Sequence, residues 1–218
     1  MVSAHLSLYH LVRQPRRESD KPPLLILLHG VGSNEEDLFE WAPLLDERFL
    51  VLSTRAPLTL SEGSYAWFHV QLGGRAPLIN PDEAERSRRA IIQFIGEAVQ
   101  AYHAAAGRVY LLGFSQGAIM SQGVMLTQPE LLAGVVAMSG RILPEVKPLA
   151  VAPERLNGFP ILVQHGLYDQ VLPIANGRAS RDYLSTLPVQ LTYHEYPMAH
   201  QVTEESLNDA RAWLQERL

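Results

Sequence analysis

The run Leu24-Leu-Ile-Leu-Leu28 sets five apolar residues side by side with no polar alternate. Side chains of a strand point alternately to its two faces, so a strand of this composition has no face to offer water. It must be covered on both sides, as a central strand of a parallel sheet is. Further strand-type segments are read at residues 49–54, 109–112, 132–138, 160–164 and 190–196, with an edge strand at 7–12. Between them lie segments of helical type at 35–45, 81–106, 118–127, 174–187 and 203–218. In the longest of these, Ile91, Phe94, Ile95, Ala98, Val99 and Tyr102 recur at helical spacing, with Gly107 as the stop. Asn34 is read as the cap of the 35–45 helix, whose first turn is acidic. Alternation of this kind predicts an α/β fold with a mostly parallel sheet and helices on both faces. With 218 residues there is enough chain for one sizeable core and too little for two full domains, so residues 1–218 are expected to form a single domain.

Two stretches interrupt the alternation. Residues 140–159 are rich in Pro and read as a loop with a short helical turn. Residues 55–80 read as a long irregular connection, which in a compact domain is usually functional or mobile. Tyr65, Trp67 and Phe68 cluster in it, flanked by Gly63 and by Gly73-Gly74. Aromatic side chains on a glycine-hinged loop can cover an apolar chain, and Trp67 and Phe68 are candidates for substrate contact with Leu172 and Met198. The competing reading is that Trp67 and Phe68 anchor the loop to the core. In the first case Trp67→Ala changes substrate preference; in the second it costs stability.

The sharpest chemical signal is Gly113-Phe-Ser115-Gln-Gly117, lying after a buried strand and before a helix. The spacing Gly-x-Ser-x-Gly suits a serine on a tight turn, because side chains two residues to either side would collide. Such a turn lifts the hydroxyl above the sheet edge and aims the N-terminus of the next helix at the reacting group, where partial positive charge favours a developing oxyanion. A serine hydroxyl needs a neighbouring base, and the base needs an orienting acid. Of the histidines after Ser115, His194 lies within a strand pattern and His165 ends a buried strand, both structural positions. His200 stands in a loop between the last strand and the last helix, at the sheet edge that bears Ser115. Asp169 occupies the equivalent kind of loop, in Gly166-Leu-Tyr-Asp-Gln-Val-Leu-Pro173. Its rivals are Asp182 and Asp209 on helices and Glu195 on a strand; as a bland alternative, Asp169 caps the helix after Pro173. In His29-Gly-Val-Gly-Ser33, after the first central strand, Gly30 and Gly32 let the backbone approach a substrate. The N–H groups of Val31 and Gln116 are the expected oxyanion donors. A phosphate loop would need the lysine of Gly-x-x-x-x-Gly-Lys, which is missing.

These residues resemble a known family. Leu28-His-Gly-Val-Gly32, Gly113-Phe-Ser-Gln-Gly-Ala-Ile-Met120, Met138-Ser-Gly140, His165-Gly-Leu-Tyr-Asp-Gln-Val-Leu-Pro173 and Tyr196-Pro-Met-Ala-His200 are similar, in order, to the phospholipase/carboxylesterase family. That family includes small bacterial carboxylesterases and acyl-protein thioesterases. The resemblance implies an α/β-hydrolase fold without a large lid, active on esters or thioesters of modest size. It implies Ser115, Asp169 and His200 as the catalytic three, with Val31 and Gln116 as oxyanion donors. Two departures stand out. The first loop continues Val31-Gly-Ser-Asn34, where the thioesterases usually have Leu and then an acidic residue. Arg141 follows Ser139-Gly140, where an aromatic residue is frequent. Both leave the chemistry intact and weigh against a lipidated protein as substrate.

The expected activity is therefore carboxylesterase action on short to medium acyl esters through an acyl-enzyme. A thioesterase or lysophospholipase is the runner-up, and a silent hydrolase-fold binding module comes behind it, since a silent relative usually lacks one of the three side chains. Ser115 argues against a dienelactone hydrolase, which uses Cys, and a dehalogenase, which uses Asp. No cofactor or metal is expected: His29, His165 and His200 show no ligand pair on one helix. With no cysteine, disulfides and thiolate chemistry are excluded, and the net charge of -5 gives no footprint for nucleic acid. Residues 1–15 lack the uninterrupted apolar core of a secretory signal, and Leu24–Leu28 is far too short to cross a bilayer. A cytoplasmic location is expected, the partner being a small acyl ester or thioester; a homodimer is left open.

Overall fold

The computed structural model describes residues 6–71 and 78–218. Seven strands form the central sheet: β1 (His10–Arg13), β2 (Leu24–Leu28), β3 (Leu50–Thr54), β8 (Val109–Phe114), β9 (Gly134–Met138), β10 (Pro160–Gly166) and β11 (Gln190–Tyr196), in the spatial order β1-β3-β2-β8-β9-β10-β11. All neighbours are parallel except β1 with β3. Among the described residues four α-helices accompany it: α1 (Pro81–Ala101), α2 (Gln116–Thr127), α3 (Ile174–Leu184) and α4 (Glu204–Gln215). The expected α/β arrangement with helices on both faces holds.

The five-residue apolar run explains itself in this setting. Leu24, Ile26 and Leu28 pack with Ile91, Phe94 and Ile95 of α1 and Ala118 and Val124 of α2. Leu25 and Leu27 point the other way, into a second cluster with Leu38, Phe49, Trp213 and Leu214. Every residue of β2 is fully buried, each burial worth about 1.5–3 kcal/mol. Chain order reverses between β2 and β8: from β2 the strands run outward to β3 and β1, and from β8 outward to β11. The loops after β2 and β8 therefore open a crevice at the carboxyl edge of the sheet, the usual ligand position in such sheets.

Three expectations need correction. The helix expected at 35–45 is a 3-10 segment, Leu38–Leu44, and Asn34 does not cap it. Pro43 lies inside, where it cannot donate and where its ring collides with the carbonyl four residues back, so an α-helix cannot run through. Asn34 instead accepts from the Glu36 N–H (2.8 Å) and donates to Gly63 O (3.0 Å). The described part of residues 55–80 holds strands where an irregular connection is expected: β4 (Leu58–Ser61) pairs with β5 (Ser64–Ala66), and β6 (Val70–Gln71) with β7 (Leu78–Ile79), both antiparallel. Gly73 and Gly74 lie outside the described residues. Finally, α1 ends at Ala101 rather than near Gly107, and His103 takes a left-handed backbone at φ 53°. Residues 140–159 hold two 3-10 turns, Pro144–Leu149 and Pro153–Leu156. No helix among the described residues is long and apolar enough to cross a membrane.

Candidate active site

Ser115 stands between β8 and α2 at φ 55°, ψ -115°. A non-glycine residue held there costs about 1–3 kcal/mol, which surrounding packing must supply. The flanking glycines make that packing possible. A Cβ on Gly117 would run into the Leu28 carbonyl, and one on Gly113 into the Gly117 backbone. The Ser115 N–H donates to Met138 O (2.9 Å) and its carbonyl accepts from Ile119 (3.0 Å), so the turn is tied to β9 and to the first turn of α2.

His200 and Asp169 reach Ser115 from the loops after β11 and β10. His200 Nε2 lies 2.9 Å from Ser115 Oγ, and His200 Nδ1 lies 2.7 Å from Asp169 Oδ2. The second oxygen, Oδ1, accepts from the N–H groups of Val171 (2.9 Å) and Leu172 (2.8 Å), which fixes the carboxylate plane. The imidazole packs on Phe114, ring centroids 5.0 Å apart. Gly166 lets the two loops meet, because a Cβ there would strike the Met198 and Ala199 carbonyls. Leu167 and Tyr168 donate across to Tyr196 O and Met198 O. His165 is the structural residue expected of it: fully buried, it donates from Nε2 to Leu172 O (2.7 Å) and fastens the Asp169 loop. Glu195 is occupied elsewhere. Arg178 binds it through two hydrogen bonds of 2.9 Å, and with Tyr193 holds its carboxyl at about 2. His194, near the end of β11, pairs instead with Asp209 of α4, 3.5 Å apart and half exposed.

The loop after β2 is braced from behind. His29 is fully buried, donating from Nδ1 to Gly30 O (2.7 Å) and accepting at Nε2 from Ala56 N–H (3.0 Å). Gly32, at φ 82°, donates to Tyr65 O, and Tyr65 donates to Ser33 O, so the β4–β5 hairpin holds this loop. The N–H groups of Val31 and Gln116 have no protein acceptor among the described residues. The Gln116 side chain does a job that its sequence position hides. Its Oε1 accepts from Trp67 N–H (3.0 Å) and its Nε2 donates to Phe68 O (2.8 Å), while Trp67 Nε1 donates to His29 O (2.9 Å).

A cavity of about 530 Å³ opens over Ser115, lined among others by Val31, Phe68, Gln116, Ile119 and Leu172. Its size suits a small organic ligand. Phe68 and Leu172 thus stand where substrate contact was expected. Trp67 does not: it is wholly buried behind the loop. Met198 is also buried and borders a different depression, beside Thr203 and Glu204. Trp67 packs in the core instead, and Met198 is buried away from the cavity over Ser115. Trp67→Ala is accordingly expected to cost about 3–5 kcal/mol of stability while leaving chain-length preference to Phe68→Ala. Melting temperatures and ester-length profiles of the two variants check this; a shifted profile in Trp67→Ala without a lower melting temperature would contradict it.

Burial pushes the imidazoles of His29 and His10 below the ordinary range. His10 also has both nitrogens engaged, with Leu8 O and Tyr102 OH. Both are neutral in the fold and free to charge once unfolded. The unfolded chain then binds more protons below about pH 6.5, so their contribution is complete above that pH and is lost as pH falls toward the depressed folded values. Melting temperature is expected to decline as pH falls below about 6.5. A double His10→Gln, His29→Gln variant should show a shallower slope; an unchanged slope would refute the assignment.

Among the described residues no group of three or more His, Cys, Asp or Glu is placed to hold a metal ion. The family model for phospholipases/carboxylesterases matches residues 10–218. Esterase YpfH of Escherichia coli (strain K12) is 31% identical over 177 residues, 76% of this chain and 70% of that protein. Acyl-protein thioesterase 1 of Cryptococcus neoformans var. neoformans serotype D is 26% identical, covering 97% of this chain and 98% of that protein. The crystal structure of the Bacillus cereus carboxylesterase superposes with a TM-score of 0.80 at 21% identity, over 97% of this chain and 95% of that one. This last likeness concerns the fold.

Proposed function

The chain belongs to the phospholipase/carboxylesterase family of α/β hydrolases, serine hydrolases acting on carboxylic ester bonds, and on that premise we propose that it is a carboxylesterase for short to medium acyl esters, with Ser115, His200 and Asp169 as its catalytic three. The observation that carries this reading is the chain of two hydrogen bonds, 2.9 Å and 2.7 Å, from Ser115 Oγ through His200 to Asp169. His200 Nε2 takes the Ser115 proton as Oγ attacks the ester carbonyl. Asp169 accepts from Nδ1–H, which keeps the other nitrogen free to act as base and stabilises the imidazolium. The tetrahedral oxyanion is held by the N–H groups of Val31 and Gln116, the latter at the positive end of α2. His200 returns its proton to the leaving alcohol, and a water activated by the same imidazole releases the acid. Residues 1–218 act as one domain, and a cytoplasmic setting fits this chemistry.

The limited cavity and its apolar wall of Phe68, Val70, Ile79 and Leu172 favour acyl chains of modest length. A series of 4-nitrophenyl esters from acetate to palmitate tests this. Butyrate to octanoate are expected to react faster than palmitate, and palmitate as the best substrate would overturn the length assignment. Thioester hydrolysis is the second reading, favoured by the thioesterase name of the fungal relative, and the matching thioesters in the same series measure it.

A further inference from the structure

Arg141 lies just past β9, on backbone that is closely fixed. Ser139 N–H donates to Gln164 O (2.8 Å), and Ile142 N–H donates to Ser180 Oγ (3.1 Å). Gly140 between them sits so close to Ala118 that a Cβ would press on its methyl group. The half-buried Arg141 side chain lines the same cavity as Ser115. Among the described residues it makes no ion pair and no hydrogen bond. The residues outside the description, 1–5 and 72–77, contain no Asp or Glu, so no acidic side chain of the chain is left to neutralise it. None of the side chains lining the cavity is a carboxylate, and the other ionisable one, His69, is already paired with Glu83 at 2.9 Å.

A half-buried guanidinium loses water when a substrate covers it, and an apolar ester returns nothing for that loss. A carboxylate does, through two parallel charge-assisted hydrogen bonds that match the guanidinium fork. We propose that Arg141 is a specificity-determining residue that docks a carboxylate carried by the substrate, so that the preferred esters are anionic. This rests on Ser115 being the nucleophile of the same cavity. The carboxylate can stand on the acyl part, as in a half-ester of a dicarboxylic acid, or on the alcohol.

Two matched pairs separate these sources. One sets the mono(4-nitrophenyl) ester of glutaric acid against 4-nitrophenyl glutaramate; the other sets 3-carboxyphenyl butyrate against 3-carbamoylphenyl butyrate. The wild type is expected to favour the charged member of one pair in kcat/KM. Arg141→Gln should lower that charged-to-neutral ratio by about 10- to 100-fold, the range of a hydrogen bond to a charged group, with Arg141→Lys in between. The preference should also shrink as salt is raised. A ratio near one in both wild-type pairs, or a ratio that Arg141→Gln leaves unchanged, overturns the proposal. Titration of glutarate into Ser115→Ala, with and without Arg141→Gln, reads the anion site without turnover. Weaker binding on loss of Arg141 supports the subsite and equal binding refutes it. Retained esterase activity in Ser115→Ala, by contrast, refutes the nucleophile.

Discussion

Replacing Ser115 by alanine should abolish ester turnover, by on the order of a millionfold in kcat, in a protein that still folds. The loss is expected to be large because, among the described residues, the Ser115 hydroxyl is what His200 Nε2 meets, at 2.9 Å, and in the proposed mechanism it is the group that forms the acyl-enzyme. Binding and oxyanion donors remain in the variant, and they account for the residual rate over water. Folding should survive for a local reason. Alanine keeps the Cβ already present at φ 55°, so the turn is no more strained than before, and the N–H to Met138 and the carbonyl to Ile119 are untouched. One lost side-chain hydrogen bond is worth about 1 kcal/mol. Purified wild type and Ser115→Ala, compared in kcat, in melting temperature and in labelling by a fluorophosphonate, decide the matter. Activity within tenfold of wild type, or undiminished labelling, would mean that another residue is the nucleophile.

Asp169→Asn should lower kcat by about 10⁴-fold, again with the fold retained. The amide oxygen can still accept from Val171 and Leu172, so Asn takes the place of Asp without strain. Its NH2 then occupies the position of Oδ2, 2.7 Å from His200 Nδ1. A donor there cannot accept the Nδ1 proton. The neutral imidazole that pairs with it carries its proton on Nε2, facing Ser115, where it can no longer act as base. Glu195→Gln is the control, because that carboxylate is held by Arg178 and Tyr193 rather than by His200. Wild-type rates in Asp169→Asn, together with a deep loss in Glu195→Gln, would reverse the assignment of the acid.

Some of this molecule was legible because its causes are local. Five consecutive apolar residues admit one kind of strand, and β2 is that strand with the predicted bounds. The alternation in Gln190–Tyr196 marks a strand in the same way, and β11 has those bounds. Gly113 and Gly117 announce a turn that tolerates no side chain, and their Cβ positions are indeed filled by backbone. Loops that follow parallel strands share one edge of the sheet, so the order of strands was enough to bring Ser115, Asp169 and His200 to one side.

Other features depended on partners far away in the chain. The acidic start of residues 35–45 looked helical, but Glu35 is taken by Arg55 and Asn34 by Gly63, and Pro43 does the rest. Trp67 and Phe68 are neighbours of like character, yet one is buried behind the first loop and the other lines the cavity; their separation comes from hydrogen bonds to Gln116 and His29. In the sequence Gln116 points only to a backbone donor, and its side-chain bonds to Trp67 and Phe68 emerge in the fold. Arg141 is unusual after Ser139-Gly140 in the sequence, and only the cavity around it shows, among the described residues, a cation without a counter-charge. The sequence by itself determined the strands, the serine turn and the edge where the loops gather, because apolar periodicity and glycine sterics act over a few residues. Tertiary structure alone decided which loop residues face the cavity, which anchor it, and which charges are left unpaired, because those outcomes are set by contacts between segments 20 to 49 positions apart, and no local pattern encodes them.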